Sequence, residues 1–309
     1  MVSSLTHHDL PSPVVIEQLR GLRAHLAARI KGQDHILDRI CSVLTRGELG
    51  FAHPRRPKGS LLFVGPTGVG KTELTNVFTS YVFGKDSPVR FDMSEYQLQA
   101  SVEKLIGGSR EDFGLLGRAV RGGLTRGTLL FDEVEKAHPL VLDLFLQILE
   151  DGRVTLATGE TLDLRGYYIV FTSNLGSAEA MRMESAPFAS IERTVLMRVR
   201  QALRPELVGR VTEIVVFNRL DFATQRAICE SMIAAELARL AALGYCVEVS
   251  AEAVEFLIRQ GYHRTLGARP MRRTVERYIQ EAVAVNLLCG QRGSGCLQRD
   301  SREERLVMR

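Results

Sequence analysis

The chain has 309 residues, 45% of them apolar and 25% charged, with a formal charge of +4. That balance fits a globular chain with room for one large and one small domain, and it excludes a fibrous or low-complexity protein. No lysine or arginine block demands nucleic acid, no run approaches the ~20 apolar residues that span a bilayer, and five cysteines without a CxxC pair point to reduced thiols.

The N-terminus lacks a basic stretch followed by an apolar run, so no signal peptide and a cytoplasmic location are expected. Residues 1–13 carry Pro11 and Pro13 and read as a flexible lead-in where proline blocks helix. From Val14 to about Leu49 apolar residues recur at helical spacing (Ile16, Leu19, Leu22, Leu26, then Ile36, Ile40, Leu44), interrupted at Gly32. After a basic connector at 53–60, Leu61 to Val64 is a short apolar run ending in glycine, as a buried parallel strand would. Leu74, Val77, Phe78 and Tyr81 predict the helix that follows, stopped by Gly84. Apolar runs at 89–91, 128–131, 168–171 and 213–217 are separated mostly by helical patterns. The alternation predicts an α/β domain over 14–219, a five-stranded parallel sheet between helices. Beyond it, helices at about 222–243 and 251–260 flank a strand at 245–249, and a helix near 268–289 precedes a basic tail with a terminal strand at 306–308. Residues 220–309 thus read as a smaller, mainly helical C-terminal domain.

The strongest chemical signal is Gly65, Pro66, Thr67, Gly68, Val69, Gly70, Lys71 and Thr72, a GxxxxGK[ST] loop between a strand and a helix. Its glycines let backbone N–H groups curl round a polyphosphate at a helix N-terminus that already favours anions. Lys71 is expected to neutralise the β- and γ-phosphates and Thr72 to hold Mg²⁺. Downstream, the strand ending in Asp132 and Glu133 supplies a second half: Asp132 toward the Mg²⁺ shell, Glu133 as the base that polarises an attacking water. ATP is the expected nucleotide, since no NKxD guanine-reading motif occurs. Asp112-Phe113-Gly114 matches the metal-binding triplet of protein kinases, but without an HRD loop or a VAIK strand the match is coincidence. Asn174 ends the strand 167–174, at the edge where an amide orients water near a γ-phosphate.

Together with the stretches at 91–96 (FDMSEY), 105–107 (LIG), 131–139 (FDEVEKAHP), 149–154 (LEDGRV), 172–177 (TSNLGS), 203–217 (LRPELVGRVTEIVVF) and 266–273 (LGARPMRR), these residues resemble the AAA+ ATPases. Within them the likeness is to the second ATPase module of the Clp-type unfoldases and disaggregases, over roughly residues 28–290. The resemblance implies that Asn174 is the first sensor and that Arg210 is the arginine finger reaching a neighbouring subunit, with Arg204 its nearest rival. It implies that Arg269 is the second sensor and that Ile30 lines the adenine pocket, where Lys31 departs from the family's aliphatic residue. A homo-hexameric ring acting on a protein substrate follows from it.

Two departures matter. The family's longer channel loop carries a tyrosine core that grips polypeptide; here the equivalent segment is shorter and Phe113 is its aromatic. Phe113 reads equally as a shortened paddle or as an apolar residue tucked under the sheet. The loop 155–160, where the family has its other channel loop, has no aromatic. No Ile-Gly-Phe/Leu docking tripeptide lies in 177–203, so a Clp protease partner is not expected, nor is a membrane. The chain is read as a single module that remodels protein complexes. The alternatives are a non-translocating ATP switch for a dedicated partner, and a nucleic-acid-associated loader using tail arginines Arg292, Arg299, Arg302, Arg305 and Arg309.

Overall fold

Pro13 does not block helix; it starts one. The computed structural model describes residues 12–84, 87–122, 125–183, 186–291, 294–300 and 303–309, and α1 runs Pro13–Arg29. Ser12 caps it, its Oγ accepting from the Val15 N–H at 3.4 Å. Proline at the first helical position gives up only an N–H that has no acceptor in the helix. The rest of the expected lead-in, and Arg292 and Arg302 of the tail, lie outside the described residues. After the break at 30–33, α2 (Asp34–Glu48) buries Ile36, Leu37, Ile40, Val43 and Leu44, the spacing of one helical face.

The chain divides into two compact units, one of residues up to Val64 together with Lys71–Val216, the other of Gly65–Gly70 together with Phe217–Arg309. The first continues from the helices through β1 (Gly59–Val64), α3 (Lys71–Phe83), β2 (Val89–Asp92), α4 (Ser101–Ile106), α5 (Gly114–Arg121) and β3 (Gly127–Asp132). Then come α6 (Pro139–Asp151), β4 (Arg153–Thr155), β5 (Thr161–Asp163), β6 (Tyr167–Ser173), α7 (Ser177–Arg182), α8 (Phe188–Ala202), α9 (Pro205–Arg210) and β7 (Glu213–Val216). Five strands form one parallel sheet in the order β2-β3-β6-β1-β7, and β4 and β5 make a separate antiparallel hairpin.

Register and packing reinforce each other in this sheet. Phe91, Phe131 and Phe171 sit opposite one another across β2, β3 and β6, with ring centroids 5.3 and 5.6 Å apart. Phe145 of α6 closes on Phe131 and Phe171 at 4.5 and 5.0 Å. On the opposite face Tyr168 meets Phe78 of α3 and donates its hydroxyl to the Leu44 carbonyl of α2. Aromatic pairs of this kind add ~0.5–1.5 kcal/mol each beyond burial, and a one-residue slip would turn the ladder to the wrong face. The carboxyl ends of β1, β3 and β6 are thereby aligned.

The second unit contains α10 (Phe222–Ala242), β8 (Val247–Val249), α11 (Ala251–Gly261), α12 (Arg269–Leu288), β9 (Gly295–Arg299) and β10 (Leu306–Met308). Its helices share a core that includes Ile233, Leu257, Ile258, Met271, Val275 and Ile279. β9 runs parallel to β8 and antiparallel to β10, so the strands expected near 245–249 and at 306–308 join an unexpected third in one sheet. Among the described residues no helix is long and apolar enough to cross a membrane.

Candidate functional site

Lys71 opens α3, and its side chain is almost fully buried at the carboxyl end of the sheet. Its Nζ donates to Asn174 Oδ1 at 2.8 Å. The amide passes the contact on, since Asn174 Nδ2 donates to Glu133 Oε1 at 3.0 Å. Two residues 103 positions apart and a third just past the end of β3 thus form one chain of hydrogen bonds, because β3 and β6 are neighbours in register. Burial pushes the Lys71 ammonium down to about 8, while Glu135, Asp132 and Glu133 oppose the shift. A cation kept in so dry a place is stabilised by added negative charge.

Glu133 is held in an uncommon backbone conformation. Its φ of 57° and ψ of 50° make it the one left-handed non-glycine residue among those described, at a cost of ~1–2 kcal/mol for an L-residue. Its N–H donates to Thr172 Oγ1 at 3.1 Å, and that hydroxyl donates in turn to Asp132 Oδ1. The other carboxylate oxygen of Asp132 accepts from Arg90 at 2.5 Å. Lys136 pairs with Glu133 Oε2. Glu135 accepts the Asn174 backbone N–H at 2.9 Å through Oε1, while its Oε2 is buried without a hydrogen-bond partner. An orphaned buried carboxylate oxygen is unusual in a finished core and marks a place built for something more.

Thr72, half-buried, follows Lys71 at the second position of α3. The preceding loop, Gly65 to Gly70, packs with the second unit. Its crowding is clearest at Gly68: with φ of +77°, a Cβ there would lie 2.0 Å from the Leu266 carbonyl oxygen. Only glycine fits. Arg269 is the exposed first residue of α12 in that same unit, followed by Arg272 and Arg273. Positive charge gathered at the start of a helix opposes the macrodipole and is relieved by an anion.

The remaining expected residues are placed as follows. Ile30 is buried at the C-terminal cap of α1. Arg210 ends α9 and donates to Glu150 at 2.9 Å, and its rival Arg204 pairs with Asp143 at 2.5 Å. Both acids lie on α6, seven residues apart. Phe113 is half-buried against the main core, with the Arg121 guanidinium 3.8 Å from its ring centroid. The hairpin of β4 and β5 is tied to the same region, Ala157 N–H donating to Ile106 O at 3.0 Å and Arg121 pairing with Glu160 at 3.3 Å. Sequence reasoning missed Thr172, Glu135, Arg90 and Lys136; for Arg90 and Lys136 the available signal was position, on a strand and a turn next to acids.

Comparison with known families decides what this arrangement belongs to. Residues 56–214 match the AAA domain (Cdc48 subfamily), and residues 220–296 match the C-terminal, D2-small domain of ClpB protein. The chain belongs to the AAA+ ATPases of the Clp group. Curated relatives of this Clp-group chain include Heat shock protein 100 of Trypanosoma brucei brucei, 40% identical over 85% of this chain and 31% of that one. Chaperone protein ClpB of Aquifex aeolicus is 37% identical over 89% of this chain and 29% of its own. Among solved structures, a closed state of Hsp104 with ATPγS and FITC casein superposes with a TM-score of 0.86 at 30% identity, covering 96% of this chain and 52% of that one. The Clp-group chain described here spans about a third of the length of the curated relatives it matches.

Proposed function

We propose that this AAA+ chain binds magnesium-ATP and hydrolyses it in a ring of identical subunits, using the cycle to remodel protein complexes. The observation that carries the reading is the hydrogen-bonded chain from Lys71 through Asn174 to Glu133 at the strand ends. It links the residue suited to grip a γ-phosphate, the residue suited to sense it and the residue suited to polarise water. Residues 14–219 act as the ATPase domain and 220–309 as the smaller domain carrying Arg269.

The donor set fits the ligand. The depressed Lys71 ammonium gains most from a polyphosphate, and the loop 65–70 offers backbone rather than side chain at Gly68. Thr72 and Asp132 would hold Mg²⁺, each Asp132 oxygen keeping a second lone pair beside its present partner. The ion's contribution when bound is charge neutralisation on the transferring phosphoryl group. Glu133 then takes the proton of the attacking water, Asn174 holds that carboxylate in place, Arg269 adds positive charge from the small domain, and Ile30 lines the adenine side. Arg210 exchanges Glu150 for the γ-phosphate of an adjoining subunit's nucleotide, so turnover depends on assembly, with the hexamer the expected ring.

Glu133→Gln tests the assignment. The variant is expected to bind magnesium-ATP and assemble while turnover falls by ~10²–10⁴-fold. Loss of ATP binding, or undiminished turnover, removes Glu133 from the role of base.

A second reading, an ATP-dependent switch for a dedicated partner that threads no polypeptide, is favoured by Phe113. Its ring lies against the core beneath Arg121 and does not stand out as a paddle.

A further inference from the structure

The phosphate loop is braced from behind by backbone, and one buried side chain fixes that brace. The Gly68 carbonyl accepts from the Ala268 N–H at 3.0 Å. Gly267, with φ of +56°, approaches so closely that a Cβ on it would lie 2.6 Å from Gly68 O. Among the described residues no peptide bond is cis, and in a planar trans peptide the carbonyl and the following N–H point in opposite directions. Pinning Gly68 O toward Ala268 therefore aims the Val69 N–H away from the brace. The segment between α11 and α12 sets the direction of a group in the loop that receives phosphate.

That segment has no helix or strand to hold it. Gln225 does so instead, from the first turn of α10, with none of its surface exposed. Its Nε2 donates to Leu220 O at 3.0 Å and to His263 O at 3.2 Å, and its Oε1 accepts from the His263 N–H at 3.3 Å. One amide thus gives His263 both a donor and an acceptor, as a neighbouring strand would. His263 passes the order on: its Nδ1 accepts from the N–H groups of Thr265 at 3.2 Å and Leu266 at 3.0 Å. An apolar residue would fill the space at position 225 without desolvating an amide. A buried amide spent on the backbone of a remote loop specifies geometry.

We infer that Gln225 is a positioning residue for the phosphate loop, acting through His263 and the 266–268 backbone on Gly68 and the Val69 N–H. The inference rests on the proposed nucleotide reading of that loop and adds a determinant of its affinity that never touches the nucleotide.

Gln225→Met keeps length and volume while deleting the three hydrogen bonds. In nucleotide-free protein, amide exchange is expected to quicken by about tenfold at Ala268, whose N–H makes the brace, with Leu257 in the core of α11 unchanged. Magnesium-ATP affinity is expected to fall by about tenfold. Gly267→Ala, which disturbs the same contact from the other side, should weaken binding as well, and the double variant should lose less than the sum. Unchanged exchange at Ala268, unchanged affinity, or a loosening spread evenly over α10, α11 and α12 would each overturn the inference. If the wild-type chain binds no magnesium-ATP, the nucleotide reading fails, and the exchange measurement still decides whether Gln225 braces the loop.

Discussion

Two polar stretches of the first unit look alike in sequence and behave in opposite ways. Around Glu133 the backbone takes a left-handed conformation and a buried Glu135 oxygen lacks a partner. Around Phe113 nearly everything is satisfied. Asp112 accepts from the Gly114 and Gly108 N–H groups at 3.0 and 3.3 Å and from Arg118 at 3.0 Å, bonds that hold its carboxyl below the usual range. Local polarity therefore does not distinguish a site from a surface loop. Strain and unspent hydrogen-bonding capacity do, because both are costly and concentrate where a ligand or a reaction makes use of them.

The largest expected effect tests whether the Glu133 region is incomplete within one chain. Arg210→Ala should lower turnover by ~10³-fold or more, the scale of an arginine supplied in trans. Mixed with Glu133→Gln subunits, it should regain part of that activity, since some interfaces then pair an intact base with an intact finger. Turnover that stays at the variants' own level across all mixing ratios would mean that Arg210 is only the partner of Glu150 seen here.

Lys71→Met comes next, with affinity for magnesium-ATP expected to fall by ~100-fold, the worth of a charge-assisted contact. A proton measurement sharpens this. The buried ammonium has a folded value of about 8, below its ordinary 10.5, so burial destabilises the fold below about pH 8 and the cost fades as pH rises to the unfolded value. A polyphosphate beside the group raises its pKa again. Binding at about pH 8.5 should therefore take up protons, read by calorimetry in two buffers of different ionisation enthalpy. Equal heats in both buffers would place Lys71 outside the phosphate contact.

Much of this region was legible because its signals are local. The loop 65–72 is a fixed spacing of glycine, lysine and threonine after an apolar run, and Asp132, Glu133 and Asn174 end apolar strands. What was not legible depends on register. Thr172 and Glu135 act on residues about forty positions away, a pairing visible only once β3 lies beside β6. The left-handed Glu133 had no glycine or asparagine to announce it. β9 reads GCLQR, too polar to stand out from its neighbours. Gln225 looks like any polar residue in the first turn of a helix, and its burial comes from a loop nearly forty residues later.

The smallest expected effect is at Phe113, and it discriminates most finely between the two stretches. A half-buried ring on the core with a guanidinium across its face contributes through packing and a cation–π contact of ~0.5–1 kcal/mol. Phe113→Ala should therefore cost about 1–2 kcal/mol of stability, with ATP turnover unchanged and Arg121 retained by Glu160. A channel paddle predicts the reverse: little change in stability, and loss of ATP-driven unfolding of a tagged reporter protein. The two measurements move in opposite directions. Reporter unfolding by wild type and its loss in a Phe113→Ala variant of unaltered melting temperature would return this loop to the gripping role that its folded position argues against.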